Sequence, residues 1–304
     1  MTAASILTGA VGCDKRAASD DVDTPPPRRT SLAGRPTALF LIFGDKGDPR
    51  VLPVATLTAG KVTPIQLDAA GWRVFDGMYF REGTKLPVYR DGHTTSDAVV
   101  RRGMWEGKDA LYKLPGCTAL RPLAAATVQG AESAQMPVML ELLGTSAPLA
   151  VSPVRPAPSA ADLDSARALA DRGAQHEGLT RAARGELDLN VKAIATGATT
   201  QPTLVVSWME RGGGIGGKAR HIFLLGDATP NGGYATSFTY AASDTAAEFR
   251  RLVDHVDLTG DGVDEVVLEG WRNGGDSYLV VLGFQNGKWR ELARSGTSWC
   301  ADGK

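Results

Sequence analysis

The chain has only four histidines and three cysteines, and none of them falls in a spacing typical of a metal or catalytic site. There is no His-Glu-x-x-His pair and no Cys-x-x-Cys pair, the usual spacings of zinc ligands. No Gly-x-Ser-x-Gly segment is present, so an α/β hydrolase with a nucleophile elbow has no support. The sequence therefore gives no direct sign of an enzyme. A catalytic site assembled from distant residues would leave no such motif.

The chain also lacks a strong net charge and a long hydrophobic run. A formal net charge of -1 gives no basic field that would attract nucleic acid. No stretch approaches the roughly twenty apolar residues needed to span a bilayer. The composition is nevertheless 43% hydrophobic, enough for a substantial core, and 36 glycines and 17 prolines without a fixed period favour many turns between short strands.

A glycine-rich stretch, residues 212–218, matches the spacing of a phosphate-binding loop as far as Lys218. The next residue, Ala219, has no hydroxyl for magnesium, and residues 221–225 have the pattern of a strand where that loop requires a helix. We therefore expect a glycine-rich hairpin loop and no bound nucleotide.

Near the amino end, residues 5–13 place small side chains just before Cys13. This pattern resembles the end of a bacterial lipoprotein signal, in which the cysteine is lipidated and becomes the mature amino terminus. The resemblance implies a signal over 1–13 and a lipid anchor at Cys13. Residues 14–36 are charged and proline-containing, as in a disordered tether. We expect a protein of the bacterial cell envelope, lipid-anchored at the periplasmic face of a membrane or secreted; the alternative is a disordered amino terminus with an incidental cysteine.

The two remaining cysteines, Cys117 and Cys300, lie far apart in the sequence. In an oxidising envelope they can pair and link the two halves of the chain. Spacing alone does not decide between this disulfide and two free thiols.

The distribution of apolar runs and turn residues predicts a mainly β fold of two β-rich units with antiparallel strands. The first unit covers 37–147. Residues 148–185 form a proline-rich linker and a short helical segment, in which Ser159 and Asp162 have the spacing of a capping box and Gly173 stands where the helix would end. The second unit covers 186–300, and Asn286-Gly287 predicts a tight hairpin near its end.

The most specific pattern is the stretch from Asp257 to Glu265. Side-chain oxygens stand at its first, third, fifth and ninth places, the seventh can offer a carbonyl, and Gly262 allows a tight turn. Calcium prefers about six to eight such oxygen ligands. The predicted calcium ligands are Asp257, Thr259, Asp261, the carbonyl of Val263, and Glu265. The alternative is a polar turn without an ion.

An EF-hand would need flanking helices and a glutamate at the twelfth place, which is Leu268 in a strand-like run. The loop instead resembles the FG-GAP or VCBS type of repeat found in integrin-like β-propellers, in which it joins two strands. The resemblance covers roughly 254–284, and such repeats usually occur several times, whereas one is found here. It implies a structural calcium ion and offers a single β-propeller-like domain as the alternative fold.

Together these features favour a binding or scaffolding role in the cell envelope, with an envelope protein or a glycan as the partner. One alternative is an envelope hydrolase acting on glycan or peptide, whose site would lie between the two β-rich units. Another is an accessory subunit of a membrane protein complex. Trp271, just after the strand that leaves the loop, is a candidate for stacking on a ligand, and core packing is the simpler interpretation. His255 is interpreted as a half-buried strand residue or as a neighbour of the calcium site.

Overall fold

Antiparallel strands dominate the residues that the computed structural model describes, which are 35–65, 71–105, 123–130, 136–210, 220–242, 248–272 and 277–295. The mainly β class and its antiparallel sheets, both expected from the sequence, are confirmed. The strands form a closed barrel and two further sheets, an arrangement different from the radial blades of a β-propeller.

Seven strands of the amino-terminal part form one sheet, in which the pairing of the first two strands closes six of them into a barrel. These strands are β1 (Thr37–Asp45), β2 (Arg50–Thr58), β3 (Lys61–Pro64), β4 (Lys85–Arg90), β5 (His93–Trp105), β6 (Leu123–Gln129) and β7 (Met139–Thr145). The barrel order is β1-β7-β4-β5-β6-β2, and β3 extends the sheet beyond β2.

The barrel interior is filled by alternate side chains of its strands and by the short helix α1 (Gly71–Tyr79). Phe40 of β1 contacts Phe75 and Tyr79 of α1 and lies 5.1 Å, centroid to centroid, from Phe80. The other face of β1, including Leu39, is also buried, in a second core outside the barrel. Both faces of β1 are thus covered, which explains its unbroken apolar run.

The carboxyl-terminal part forms two four-stranded antiparallel sheets. Sheet C has the order β11-β10-β9-β8 and consists of β8 (Leu187–Ile194), β9 (Thr203–Glu210), β10 (His221–Ala228) and β11 (Tyr234–Ala242). Sheet D is a meander of β12 (Glu248–Val256), β13 (Glu265–Arg272), β14 (Ser277–Gln285) and β15 (Lys288–Arg294). Asn286 and Gly287, both with positive φ, form the predicted hairpin between β14 and β15.

The sheets lie in layers, with sheet D between the barrel and sheet C. On one face of sheet D, Val267 and Val281 share a core with Leu41 and other residues of the barrel wall. On the other face, Val280 packs with Phe223 of sheet C. Burial on both faces explains why β14 reads as a continuous apolar run rather than an alternating one.

Helix α2 (Ala160–His176) covers the outer face of sheet C, where Leu169 packs against Leu224. Its predicted capping box, Ser159 with Asp162, is present. The predicted end at Gly173 is wrong, since the helix runs on to His176. Glycine at position 173 instead allows close packing, because an added Cβ would lie 2.2 Å from Cδ1 of Leu224. A second helix, α3 (Arg181–Gly185), follows and is capped by Thr180.

The domain boundaries at 37–147, 148–185 and 186–300 stay an interpretation. The strands of the barrel and of sheets C and D fall on either side of the helical segment, and Pro36–Lys304 forms one compact unit. The expected signal and most of the expected tether lie outside the described residues.

Candidate functional site

The acidic loop, residues 257–264, joins β12 to β13 in sheet D, where Val256 is opposite Glu265. Gly260 (φ +76°) and Gly262 (φ +87°) adopt the left-handed backbone conformation that glycine takes without steric cost. The tight turn attributed to Gly262 is therefore present. Strands flank the loop on both sides, as the sequence pattern predicts.

Glu265 closes the loop from its far end. Its Oε2 accepts hydrogen bonds from the backbone N–H groups of Leu258 (2.7 Å) and Thr259 (3.1 Å), and its Oε1 accepts one from the Thr259 hydroxyl (3.0 Å). Two of the predicted calcium ligands, Thr259 and Glu265, are thus in direct contact. The carboxylate oxygens of Glu265 and the hydroxyl oxygen of Thr259 are also the atoms that a bound cation would use.

Asp257 closes the loop from its near end. Its Oδ1 accepts from N–H of Gly260 (2.6 Å) and its Oδ2 from N–H of Gly262 (2.9 Å). Asp261 is exposed, and its Oδ1 accepts from N–H of Val263 (2.9 Å). The side-chain oxygens of Asp257, Asp261 and Glu265 are not all within 4.8 Å of one another. Calcium binding by all three carboxylates would thus require side chains of the loop to rearrange.

The two carboxylates at the ends of the loop are buried: Asp257 and Glu265 are each 3% exposed. Burial raises the pKa of Glu265 to about 7, and the charge of Asp261 adds to the effect, while hydrogen bonds from Leu258 and Thr259 oppose it. A cation in the loop would offset this cost of burying negative charge.

The loop lies where several parts of the fold meet. Leu258 is buried in the core shared with the barrel wall. The turn between β2 and β3 approaches so closely that a Cβ on Gly60 would lie 3.3 Å from the Thr259 carbonyl oxygen. From the linker, Arg155 Nη2 donates to the Gly262 carbonyl at 2.7 Å. The loop of sheet D therefore contacts both the barrel and the linker, and a change in its conformation would alter those contacts.

Asp264, which the sequence interpretation left out, is the most deeply buried acid near the loop, at 0% exposure. Its Oδ1 accepts from the Ser152 hydroxyl (3.1 Å), and its Oδ2 lies 2.7 Å from both Arg155 Nη1 and His255 Nδ1. Its backbone N–H donates to the Thr196 carbonyl. Asp264 thus faces away from the loop interior and anchors the linker. Alternation of side chains along a strand would have indicated that Asp264 and its neighbour Glu265 point to opposite faces.

His255 is buried (3% exposed) rather than half-buried as expected, because Asp264 and Gly92 enclose its ring. A Cβ on Gly92 would lie 3.2 Å from Cε1 of His255. One ring nitrogen of His255 lies within 4.8 Å of side-chain oxygens of Asp91 and Asp254, and those oxygens are equally close to each other. No sequence motif indicates this group, because Asp91 lies in the barrel whereas Asp254 and His255 lie in sheet D.

A cavity of about 600 Å³ lies beside this group, between barrel, helix α2, sheet C and sheet D. Its charged lining residues are Arg90, Asp91, Glu141, Lys192 and Asp254. Its volume is within the range of about 300–1,000 Å³ typical of small-molecule sites.

Several predicted positions have other outcomes. Cys13, Cys117, Cys300 and the glycine-rich stretch 212–218 lie outside the described residues. The next described element is the strand β10, which begins at His221, where a phosphate-binding loop would have a helix. Trp271 is partly buried and stacks on Phe249 at 5.5 Å between ring centroids.

No family model matches this chain, and neither a curated protein nor a solved structure shows significant similarity to it. Of the described helices, none has the length and apolar character required to cross a membrane.

Proposed function

We propose that the acidic loop binds one structural calcium ion in a protein with a binding or scaffolding role in the bacterial cell envelope. The ligands are Asp257, Thr259, Asp261, the Val263 carbonyl and Glu265. The loop is of the FG-GAP or VCBS type. In this proposal the barrel and the pair of sheets C and D are two β-rich units joined by the proline-rich and helical segment.

One observation carries the proposal: two carboxylates, Asp257 and Glu265, are buried at the ends of a nine-residue Asp/Gly-rich stretch between core strands. Buried carboxylates require hydrogen bonds, cationic partners or a metal ion. In the described part of the chain, the carboxylates of Asp257 and Glu265 have hydrogen bonds from the loop itself and no lysine or arginine ion pair. Oxygen-only ligands on a flexible loop suit calcium better than magnesium, which demands a near-ideal octahedron.

The ion would act on stability rather than on a reaction. Contacts of Leu258 with the shared core and of Gly262 with Arg155 tie the loop to the barrel wall and to the linker. An ion that fixes the loop would therefore hold the two β-rich units in one arrangement. A binding surface formed by both units would need such a fixed arrangement.

Thermal unfolding of the full chain with and without calcium tests the ion. A ligand at one hundred times its Kd stabilises by about 2.7 kcal/mol, so we expect a rise in Tm of several degrees. In Asp261→Ala the rise should disappear, because alanine offers no ligand oxygen, while stability without calcium should change little, because Asp261 is exposed and loses only its hydrogen bond from the Val263 N–H. The matched control is Asp164→Ala, a change at an exposed acid on α2. No calcium-dependent rise, or an equal rise in Asp261→Ala, would contradict the proposal.

The envelope location rests on the lipoprotein-like residues before Cys13. Expression in bacteria with labelled palmitate should label the native chain and leave Cys13→Ser unlabelled. Absence of label from both chains would remove the anchor from the proposal and leave the calcium loop unaffected.

The second candidate function is an envelope hydrolase acting on glycan or peptide. The observation that favours it is the cavity of about 600 Å³ between the β-rich units, with Asp91 and Asp254 in its wall. Incubation with cell-wall glycan and peptide fragments, read by mass spectrometry, tests it. Cleavage that is lost in Asp254→Asn would support this candidate, and the absence of any cleavage product would remove it.

A further inference from the structure

Three side chains from separate parts of the fold converge beside the cavity. Asp91 lies in the two-residue turn between β4 and β5, with φ +50°, and is exposed. Asp254 and His255 are buried at the end of β12, just after a β-bulge. The Asp91 N–H donates to Asp254 Oδ1 at 2.9 Å, which fixes the turn of the barrel against the edge of sheet D. One ligand atom of each residue lies within 4.8 Å of the other two.

The ring of His255 is held by a carboxylate. Its Nδ1 lies 2.7 Å from Asp264 Oδ2, an oxygen that also accepts from Arg155. A carboxylate paired with a guanidinium acts as an acceptor, so Nδ1 donates to Asp264, and Nε2 is the ring nitrogen left for a metal ion. Nε2 has no hydrogen-bond partner in the described part of the chain. Metal-bound histidines usually donate their other ring N–H to a carboxylate in this way.

Asp254 supplies an independent observation. It is only 6% exposed and lines the cavity, and the hydrogen bonds it accepts, from N–H of Asp91 and N–H of His255, both go to Oδ1. Its Oδ2 accepts none from the described residues, and it has no ion pair with lysine or arginine there. A cation at Oδ2 would compensate the charge of this buried carboxylate.

The donor set indicates the kind of ion. Calcium and magnesium prefer oxygen ligands alone, whereas an imidazole with two carboxylates suits zinc and its neighbours in the transition series. Ligand atoms of a tetrahedral zinc site lie roughly 3.3 Å apart, given bonds of about 2.0–2.1 Å. The exposed side chain of Asp91 has the freedom to close that distance. Three protein ligands leave a fourth position, and two of them, Asp91 and Asp254, line the cavity.

We propose that Asp91, Asp254 and His255 bind a zinc-type divalent ion in the cavity wall, with one coordination position open to a small ligand. Arg90 and Lys192 also line the cavity, so the ligand that takes this position is an anion such as a carboxylate or a phosphate. This site is separate from the calcium loop in its residues and in its preferred ion.

Titration of the metal-free full chain with Zn²⁺ by calorimetry, and with Co²⁺ by visible absorption, tests the site. We expect one Zn²⁺ per chain and a Co²⁺ spectrum of a four- or five-coordinate ion. His255→Gln and Asp254→Asn should each weaken Zn²⁺ binding at least tenfold.

Asp91→Asn keeps the test decisive if the buried variants do not fold, because Asp91 is exposed and asparagine tolerates a positive φ. It should also weaken Zn²⁺ binding at least tenfold, whereas Asp97→Asn, at a barrel acid whose side chain is 41% exposed, and Asp261→Ala in the calcium loop should bind Zn²⁺ as the native chain does. Zn²⁺ binding that is absent, or unchanged in Asp91→Asn, would overturn the proposal. Zn²⁺ binding lost in Asp261→Ala would also overturn it, because the ion would then lie in the loop.

Discussion

Replacement of Asp264 by alanine should destabilise the fold strongly. Asp264 is 0% exposed and its carboxylate accepts from Ser152, Arg155 and His255, so its removal leaves the Arg155 side chain, which is 13% exposed, with an uncompensated charge. Breaking a buried ion pair from one side typically costs about 3–5 kcal/mol. At roughly 2–4 °C per kcal/mol for domains of 150–250 residues, the expected fall in Tm is on the order of 10 °C.

Urea unfolding followed by circular dichroism and thermal unfolding measure this effect. The matched control is Asp164→Ala, whose ion pair with Arg167 lies on the surface, with side chains 76% and 57% exposed, and should contribute no more than about 1 kcal/mol. The double variant Asp264→Leu with Arg155→Met should lose less than Asp264→Ala alone, since it buries no unpaired charge. If Asp264→Ala falls no further than Asp164→Ala, the network does not anchor the linker.

Two further predictions concern a buried histidine and a pair of helix glycines. Burial lowers the pKa of His221 to about 4, below the ordinary value of 6.5. The contribution of neutral His221 to stability is therefore full above pH 6.5 and is lost as pH falls toward 4. At about 1.4 kcal/mol per pH unit, the loss is about 3 kcal/mol. The stability of His221→Gln should therefore fall less between pH 7 and pH 4.5 than that of the native chain, whereas the exposed-site variant His93→Gln should retain the native slope; equal slopes in all three would contradict this. Gly173→Ala should lower the free energy of unfolding by about 1–3 kcal/mol, because the new Cβ would lie 2.2 Å from the fully buried Leu224. Gly77→Ala in α1, whose new Cβ would meet nothing within 4 Å, should raise the free energy of unfolding by about 0.4–1 kcal/mol in the same urea titration. A rise for Gly173→Ala as well would mean that the α2 interface has free space.

Local features could be predicted from the sequence wherever neighbouring residues determine them. The Asn286-Gly287 hairpin and the capping box of Ser159 and Asp162 occur as predicted because each depends on a few adjacent side chains. The Asp91-Gly92 turn carries an equally strong hairpin signal, both residues having positive φ, and it was missed because the flanking strands alternate less regularly.

Long-range arrangement could not be predicted in the same way. Barrel closure depends on the pairing of β1 with both β2 and β7, and nothing in β1 itself specifies its second partner. The layering of sheet D between barrel and sheet C is indicated only by unbroken apolar runs such as β14, which are equally typical of other buried strands.

The two candidate sites differ in the same way, since one lies in a single stretch of sequence and the other is assembled by long-range contacts. Asp257 and Glu265 belong to one contiguous stretch, so their spacing alone suggested a site. The group of Asp91, Asp254 and His255 comes together only when a barrel turn meets the edge of sheet D, and the Asp264 network joins residues 112 positions apart in the chain. No short motif contains either arrangement.

Direct calorimetric titration of the metal-free full chain with calcium tests the proposed loop site most directly. We expect one Ca²⁺ bound per chain, weaker binding of Mg²⁺, and loss of Ca²⁺ binding in Asp261→Ala but not in Asp164→Ala. Binding of no Ca²⁺ by the native chain, or equal binding by the native chain and Asp261→Ala, would contradict the proposed site.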